Sequence, residues 1–448
     1  MKLRRLLLQA VLWLGSPWMA TADDQFHAPV PLQADGKVIN TSDNGGHSGP
    51  CLVDVDQDGL RDLVVGDFSG KFRYFRNVGS ASSPEYSLVG YLQADGSDAE
   101  VNIYCCVGSS PFFGDLNGDG TLDMVSGCYS PGTIWKFPGT NERDHSGRLA
   151  KPTPILDKHG VAVRHPGAAS WPSLFDWDAD GDLDLIHGDS EGRIGLRANI
   201  GSSTAAVFDS QETMIEITNE IGQLTDHVIP KGHAAVAMGD WDRDGLPDLL
   251  SGSYNGGVYL LRNIGTLQKP HFQEPEAIVP PPMAAKGHGL LLPRIEGGTP
   301  KPGIRSQIFV VDYDQDGWLD LLVGDYMLGT QYTLRSDITE TETAEFERLA
   351  LHKHRADLDA AQAFSNHFIT LPKRDSITPE EFRAFYTQEK AKWEKEPPQV
   401  RTAEELTELQ KDMAQYLKCK DDKPKQVDEG YVWLYLRKPP IDSPSRTE

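Results

Sequence analysis

Asp54 to Asp67 reads DVDQDGLRDLVVGD, and this stretch decides the fold because it recurs down the chain with its carboxylates at fixed offsets. Asp54, Asp56 and Asp58 stand at positions one, three and five, where their oxygens can converge on one hard cation. Gly59 permits the sharp turn, Leu60 offers its carbonyl and Asp62 closes the shell. The first six positions match an EF-hand loop, but the closing acid is Asp at position nine instead of Glu at twelve, and a run rich in Val and Leu follows. The loop therefore opens into a strand, not a helix. The ligand set predicts a structural calcium ion, and extracellular modules of this kind bind at about 10⁻⁴ to 10⁻³ M.

Four more copies follow: DLNGDGTLD from Asp115, DWDADGDLD from Asp176, DWDRDGLPD from Asp240 and DYDQDGWLD from Asp312. Position for position, the expected ligands are Asp115, Asn117, Asp119, Thr121 and Asp123, then Asp176, Asp178, Asp180, Asp182 and Asp184. The fourth loop offers Asp240, Asp242, Asp244, Leu246 and Asp248, and the fifth Asp312, Asp314, Asp316, Trp318 and Asp320. Successive starts lie 61, 61, 64 and 72 residues apart, the signature of a repeat architecture with about five metal sites.

Within one repeat four strands are expected: Pro50 to Val53, Asp62 to Val65, Lys71 to Asn77 and Tyr86 to Leu92, separated by turn residues. The third recurs as IWKFPG from Ile134, RIGLRANIG from Arg193 and GVYLLRNIG from Gly257, which fixes the register independently of the acids. Four short antiparallel strands per repeat describe a propeller blade. The fifth repeat departs, because an acidic, helix-prone segment at 336–429 precedes its third strand, YVWLYLRK from Tyr431. Helices are expected over Phe346 to Ala363 and Ala403 to Leu417, with a further helix start at Ile377 to Glu381. The missing fourth strand is expected from the N-terminus: Phe26 to Ile39 contains LQADG, which recurs at 92–96 within Tyr86 to Val101, the segment read as the last strand of the first repeat. The fold class is thus all-β, a five-bladed propeller closed by its N-terminal strand, with an α-helical insertion in the last blade. The expected organisation is a signal peptide at 1–22, blades at 23–335, the insertion at 336–429, the returning strand at 430–440 and a tail at 441–448.

The N-terminus has Lys2, Arg4 and Arg5, an apolar middle broken by Gly15, Ser16 and Pro17, and the small residues Ala20, Thr21 and Ala22, so it reads as a cleaved export signal with no membrane span after its removal. The expected location is periplasmic or extracellular. The formal net charge is −23, which discourages nucleic acid as a partner, and much of the acidity lies in the five loops. Five cysteines in an exported chain leave at least one unpaired or paired in trans; Cys105 or Cys106 could reach Cys128, whereas Cys51 and Cys419 have no obvious partner.

The repeats resemble the FG-GAP or VCBS family, the calcium-loop propeller repeats of integrin alpha chains and many secreted bacterial proteins. Phe113-Gly114-Asp115-Leu116-Asn117-Gly118-Asp119-Gly120 carries the closest local match, and DLLVGD from Asp320 fits the strand that follows. The resemblance implies a propeller with bound calcium but no single function, since the family includes adhesion modules, lectin-like binders and polysaccharide-active enzymes. Integrin-type propellers have seven blades, whereas five repeats are visible here, and five blades are expected.

Seven residues before each loop stand His47, Gly108, Ala169, His233 and Arg305, which the propeller register places at the central funnel on the face opposite the loops. Together with Trp171 they offer polar and aromatic surface for a sugar or an anionic group, so His47, Trp171, His233 and Arg305 are the candidate ligand-binding residues. No HExxH, P-loop or dinucleotide fingerprint appears, and no catalytic residue is assigned. The leading expectation is a binding module for a glycan or an exported protein. The alternative is a polysaccharide lyase or hydrolase at the funnel, with Arg305 neutralising a uronate and a histidine abstracting a proton. A third is a scaffold whose insertion docks another protein.

Overall fold

Each acid loop joins the first and second strands of one antiparallel sheet. The computed structural model describes residues 25–101, 109–128, 131–140, 148–164, 169–218, 224–226, 228–282, 291–298, 300–369, 385, 387–393, 403–419 and 424–439. The expected export signal at 1–22, Gly108, Cys105, Cys106, the expected helix start at Ile377 and the tail lie outside these residues.

The first blade consists of Gly49–Val53, Asp62–Gly66, Phe72–Asn77 and Tyr86–Tyr91. Three more repeat its order, beginning at Pro111–Gly114, Trp171–Phe175 and Ala235–Gly239 and ending at Thr153–Pro154, Thr213–Met214 and Glu276–Val279. The fifth takes Ile304–Val311, Asp320–Tyr332, Val432–Tyr435 and the N-terminal Val30–Pro31, which pairs as Val30 with Leu434 and Pro31 with Trp433. The first strands pack side by side around a central axis in ring order, and the fifth returns to the first. The second strands lie between blade neighbours on both faces, which is why DLVVG, DMVS, DLIHG and DLLSG are buried throughout.

One glycine per blade makes this packing possible. A Cβ on Gly66, Gly127, Gly188, Gly252 or Gly324 would lie 2.1, 2.0, 1.8, 2.1 or 1.9 Å from the backbone oxygen of Ser109, Ser170, Ala234, Ser306 or Ser48 of the next blade. The last of these contacts runs from the fifth blade to the first.

The duplicated LQADG forms an outer clasp. Asp35 and Gly36 have φ of 51° and 71°, and Asp95 and Gly96 have 51° and 80°, the two positive values that an Asp-Gly hairpin supplies cheaply. The first copy donates from the Asp35 N–H to the Tyr86 carbonyl of the first blade, and the second from Asp95 to Leu149 of the second blade. Lys158 makes the same bond to Phe208 one blade later.

The fifth blade differs at its second strand, which does not turn after Asp325 but runs on to Tyr332. The other blades with a described turn here close it with Gly70, Gly192 and Gly256, at φ of 86°, 88° and 84°, or with Gly132 at 77°. In the fifth blade Leu328 stands sixteen residues after the loop start, the register of Gly70, Gly192 and Gly256. The strand instead leaves the blade and pairs with Leu291–Ile295 in parallel and Lys425–Glu429 in antiparallel. Against this small sheet lie the helices Glu340–Ile369 and Ala403–Ala414, joined by Tyr332, Phe346, Leu349, Ala350 and Met413. The long helix starts on a reciprocal cap: Thr339 Oγ1 accepts from Glu342 N–H, and the Glu342 carboxylate accepts from Thr339 N–H.

Candidate functional site

The five loops share one hydrogen-bonded frame. The carboxylate at position one accepts the glycine N–H at position six, as in Asp54 with Gly59 (2.9 Å), Asp115 with Gly120 (3.0 Å), Asp176 with Gly181 (3.1 Å), Asp240 with Gly245 (3.1 Å) and Asp312 with Gly317 (3.0 Å). The carboxylate at position five accepts the N–H at position seven: Leu60 to Asp58, Thr121 to Asp119, Asp182 to Asp180, Leu246 to Asp244 and Trp318 to Asp316. Positions four and six both have positive φ. Gln57, Ala179, Arg243 and Gln315 hold position four at 59° to 63°, a strain that only the second loop avoids, with Gly118.

The closing acids Asp62, Asp123, Asp184, Asp248 and Asp320 are buried beneath their loops. One oxygen of each accepts an N–H at or just past the end of the third strand, from Asn77, Gly139, Asn199, Asn263 and Arg437, at 2.7 to 2.8 Å. Burial pushes Asp62, Asp184 and Asp320 up to about 6 and also raises Asp123 and Asp248. Asp182 is raised as well, first by burial and then by Asp180, Asp178 and Asp176.

Four loops bring three carboxylates within 4.8 Å of one another: Asp54, Asp56 and Asp58; Asp176, Asp178 and Asp184; Asp240, Asp242 and Asp248; Asp312, Asp314 and Asp316. In the second loop Asn117 replaces one acid and donates to Asp119 at 3.0 Å. Buried carboxylate oxygens of Asp123, Asp182, Asp240 and Asp312 have no hydrogen-bond partner, the condition a cation would relieve. An oxygen-only, carboxylate-rich set suits a hard divalent ion such as calcium. Two loops also take a guanidinium: Arg76 contacts Asp56 and Asp58 at 2.7 and 2.8 Å, and Arg262 contacts Asp242 at 2.7 Å.

At the other end of the first strands the axial residues form a continuous band. His47 is buried and stacks between Phe68 (5.3 Å) and Tyr326 (4.3 Å), both near 15° from parallel. Arg305 donates from Nη1 to His47 Nε2 at 3.0 Å and lies over Tyr326 (4.8 Å) and Tyr254 (5.3 Å). Tyr254 meets His233 edge-on at 4.9 Å, and His233 meets the buried Trp171 at 4.9 Å. The four sequence-derived candidates, His47, Trp171, His233 and Arg305, therefore belong to one cluster. His47, Ala169, His233 and Arg305 also share positive φ, at 60°, 69°, 60° and 56°, so the common register is a common backbone turn.

Phe68, Tyr254 and Tyr326 escaped the sequence reading. They stand fourteen residues after their loop starts, a position held by Tyr129 in the second repeat and Ser190 in the third, and the same counting that found His47 would have found them. Phe68, Tyr254, Tyr326, Arg305 and His233 are half-buried, which leaves ring surface open at the mouth. The root of the extension borders it, since Tyr326 donates its hydroxyl proton to Asp428 at 2.9 Å and Gly430 packs on the His47 backbone.

Desolvation, then the Arg305 charge, holds His47 well below the usual histidine range and pushes His233 down to about 3. Both rings are neutral at pH 7. The unfolded chain takes up a proton near 6.5 and the folded one does not, so the stability that His233 contributes is complete above pH 6.5 and is lost as pH falls toward 3. Its loss is at most about 1.4 kcal/mol per pH unit. His233→Asn, which tolerates the left-handed backbone, is expected to flatten the acid side of a stability profile. Parallel profiles for the two proteins between pH 6.5 and 4 would contradict this origin.

The sequence family described as FG-GAP-like repeat matches residues 54–126, 115–187 and 240–323. The chain carries FG-GAP-like repeats. Its fourth and fifth acid loops fall within the third match, and its first three within the other two. No curated protein matches the FG-GAP-like chain. Among solved structures it is similar to the Tc holotoxin pore of Photorhabdus luminescens, at 16% identity and TM-score 0.31, over 68% of this chain and 14% of that one. It is also similar to the GH43_1 enzyme from Xanthomonas citri complexed with xylotriose, at 11% identity and TM-score 0.37, over 66% and 84% of the two chains. A third is Raptor of Chaetomium thermophilum, at 14% identity and TM-score 0.27, over 62% and 18%. No helix among the described residues is long and apolar enough to cross a membrane.

Proposed function

We propose that this FG-GAP-like propeller is an exported binding module, stabilised by calcium in its acid loops, that takes a glycan at the axial mouth on the opposite face. The band from Phe68 through His47, Tyr326, Arg305, Tyr254 and His233 to Trp171 carries this reading. Half-exposed aromatic rings offer flat apolar faces to sugar C–H groups, while the cation and imidazoles supply directional polar contacts. First strands of four to eight residues, rising about 3.3 Å per residue, separate the mouth from the loops, so metal and glycan would occupy different ends of one rigid body.

The histidines favour binding over proton abstraction. His47 Nε2 is occupied by the Arg305 proton, and a His233 held near 3 is a weak base. Calorimetric titration of a glycan panel in calcium tests the reading, with Tyr254→Ala as the variant. At least one glycan is expected to bind, and Tyr254→Ala to weaken it about tenfold, roughly the 1.4 kcal/mol of one stacking contact. A panel without binding, or binding indifferent to Tyr254→Ala, would remove the axial mouth from consideration.

A further inference from the structure

We infer that the axial mouth selects a sugar bearing a single carboxylate, a uronic acid residue, over neutral sugars; this deepens the glycan-binding reading and rests on it. Arg305 Nη1 lies 3.0 Å from His47 Nε2, and a guanidinium has no acceptor, so Nε2 accepts. In a neutral ring the proton then sits on Nδ1. That Nδ1–H is buried, in a residue 2% exposed, and it has no hydrogen-bond partner. Trp171 Nε1–H, which can only donate, is buried without a partner in the same way, in a residue also 2% exposed.

These donors come from the first and third blades, and Arg305 comes from the fifth. Three blades thus present N–H groups around one end of the axis. The other described residue at the His47 register, Ala169, brings no side-chain acceptor, and the remaining one, His233, brings an imidazole. The buried atoms Ser306 Oγ, Gln307 Oε1 and Ser173 Oγ, one to four residues further along the first strands, are also without partners. Donors at the mouth call for an acceptor-rich, anionic group, and mixed hydroxyl and amide groups deeper in the axis suit sugar hydroxyls. A uronic acid has both on one ring, and Tyr254 and Tyr326 offer it stacking faces.

Charge limits the ligand to one acid per contact. The chain is formally −23, so a polyanion approaches against the whole field. Among the described residues near the mouth, Asp67 is engaged by Arg73 and Asn44, Asp428 by Tyr326, and Asp325 by Tyr431 and Trp433. The Arg305 cation attracts an anion at short range, and the net charge repels it at long range.

Calorimetry of the full chain with calcium in cell and syringe tests this, using methyl glucuronide, methyl glucoside, acetate and polygalacturonate. Methyl glucuronide is expected to bind at least about tenfold more tightly than methyl glucoside. Trp171→Phe, which keeps a packed ring without the N–H, and Arg305→Lys, which removes the fork, should each weaken the glucuronide more than the glucoside and so erase most of that ratio. Thermal melts establish that both variants fold, and if Trp171→Phe does not, Arg305→Lys carries the test. Equal affinity for the two glycosides overturns the selection and leaves the binding reading intact. Acetate as tight as the glucuronide removes the sugar, and polygalacturonate tighter per residue removes the single-charge limit. Binding of neither glycoside while another glycan binds overturns the inference alone; silence across every glycan overturns both.

Discussion

Chelating calcium from the folded chain is expected to lower its melting temperature by roughly 10 degrees or more. Sites filling at about 10⁻⁴ to 10⁻³ M gain about 1.4 to 2.7 kcal/mol each in 10 mM metal, because a ligand at ten to a hundred times its dissociation constant stabilises by RT ln(1 + [L]/Kd). Five loops acting independently would sum to roughly 7 to 14 kcal/mol, comparable with the whole stability of an ordinary domain. The gain should depend on pH. In the metal-free chain Asp62, Asp184 and Asp320, raised to about 6, keep protons that the unfolded chain has released, so their contribution falls as pH rises from about 4 through 6. A cation requires them ionised, and the difference between calcium and chelator should therefore widen from pH 5 to pH 7. Calorimetric scans at the two pH values, with and without chelator, measure this. Coincident melts would mean that the loops are self-sufficient acidic turns.

The second large effect is steric. Gly324→Ala should cost about 3 kcal/mol or more, because the new Cβ would stand 1.9 Å from the Ser48 backbone oxygen and 2.7 Å from Pro50 Cδ. No flexible side chain can yield there; two blades must separate. Gly188→Ala meets the Ala234 oxygen at 1.8 Å, with the same expectation at an interior seam. If the ring is one cooperative body, denaturant midpoints of the two variants should fall together. A midpoint near wild type for Gly324→Ala would mean that the first and fifth blades are not in contact.

Much of this architecture was legible because the loops impose a coordinate system. Once the first Asp of each loop is set to zero, His47, His233 and Arg305 fall at one offset, and the LQADG echo identifies the ring-closing strand. The uninterrupted second strand of the fifth blade was less legible, since a missing turn has no motif; it rests on Leu328 standing where Gly70 and Gly256 turn. The aromatic half of the mouth was missed for another reason. Phe68, Tyr254 and Tyr326 follow buried strands and read as core, and only the stacking on His47 and Arg305 separates them from it.

That same unbroken strand has a mechanical consequence. Asp320–Tyr332 spans thirteen residues, about 40 Å of continuous strand, with its register irregular opposite Asp325 where its partners change. One half is clamped between Ile304–Val311 and Val432–Tyr435, and the other carries the helices. Asp325 joins the two halves, its N–H bonded to the Tyr431 carbonyl and its carboxylate to Tyr431 and Trp433. A load applied to the helices would be delivered as shear to the blade whose fourth strand is the N-terminus, the blade that closes the ring.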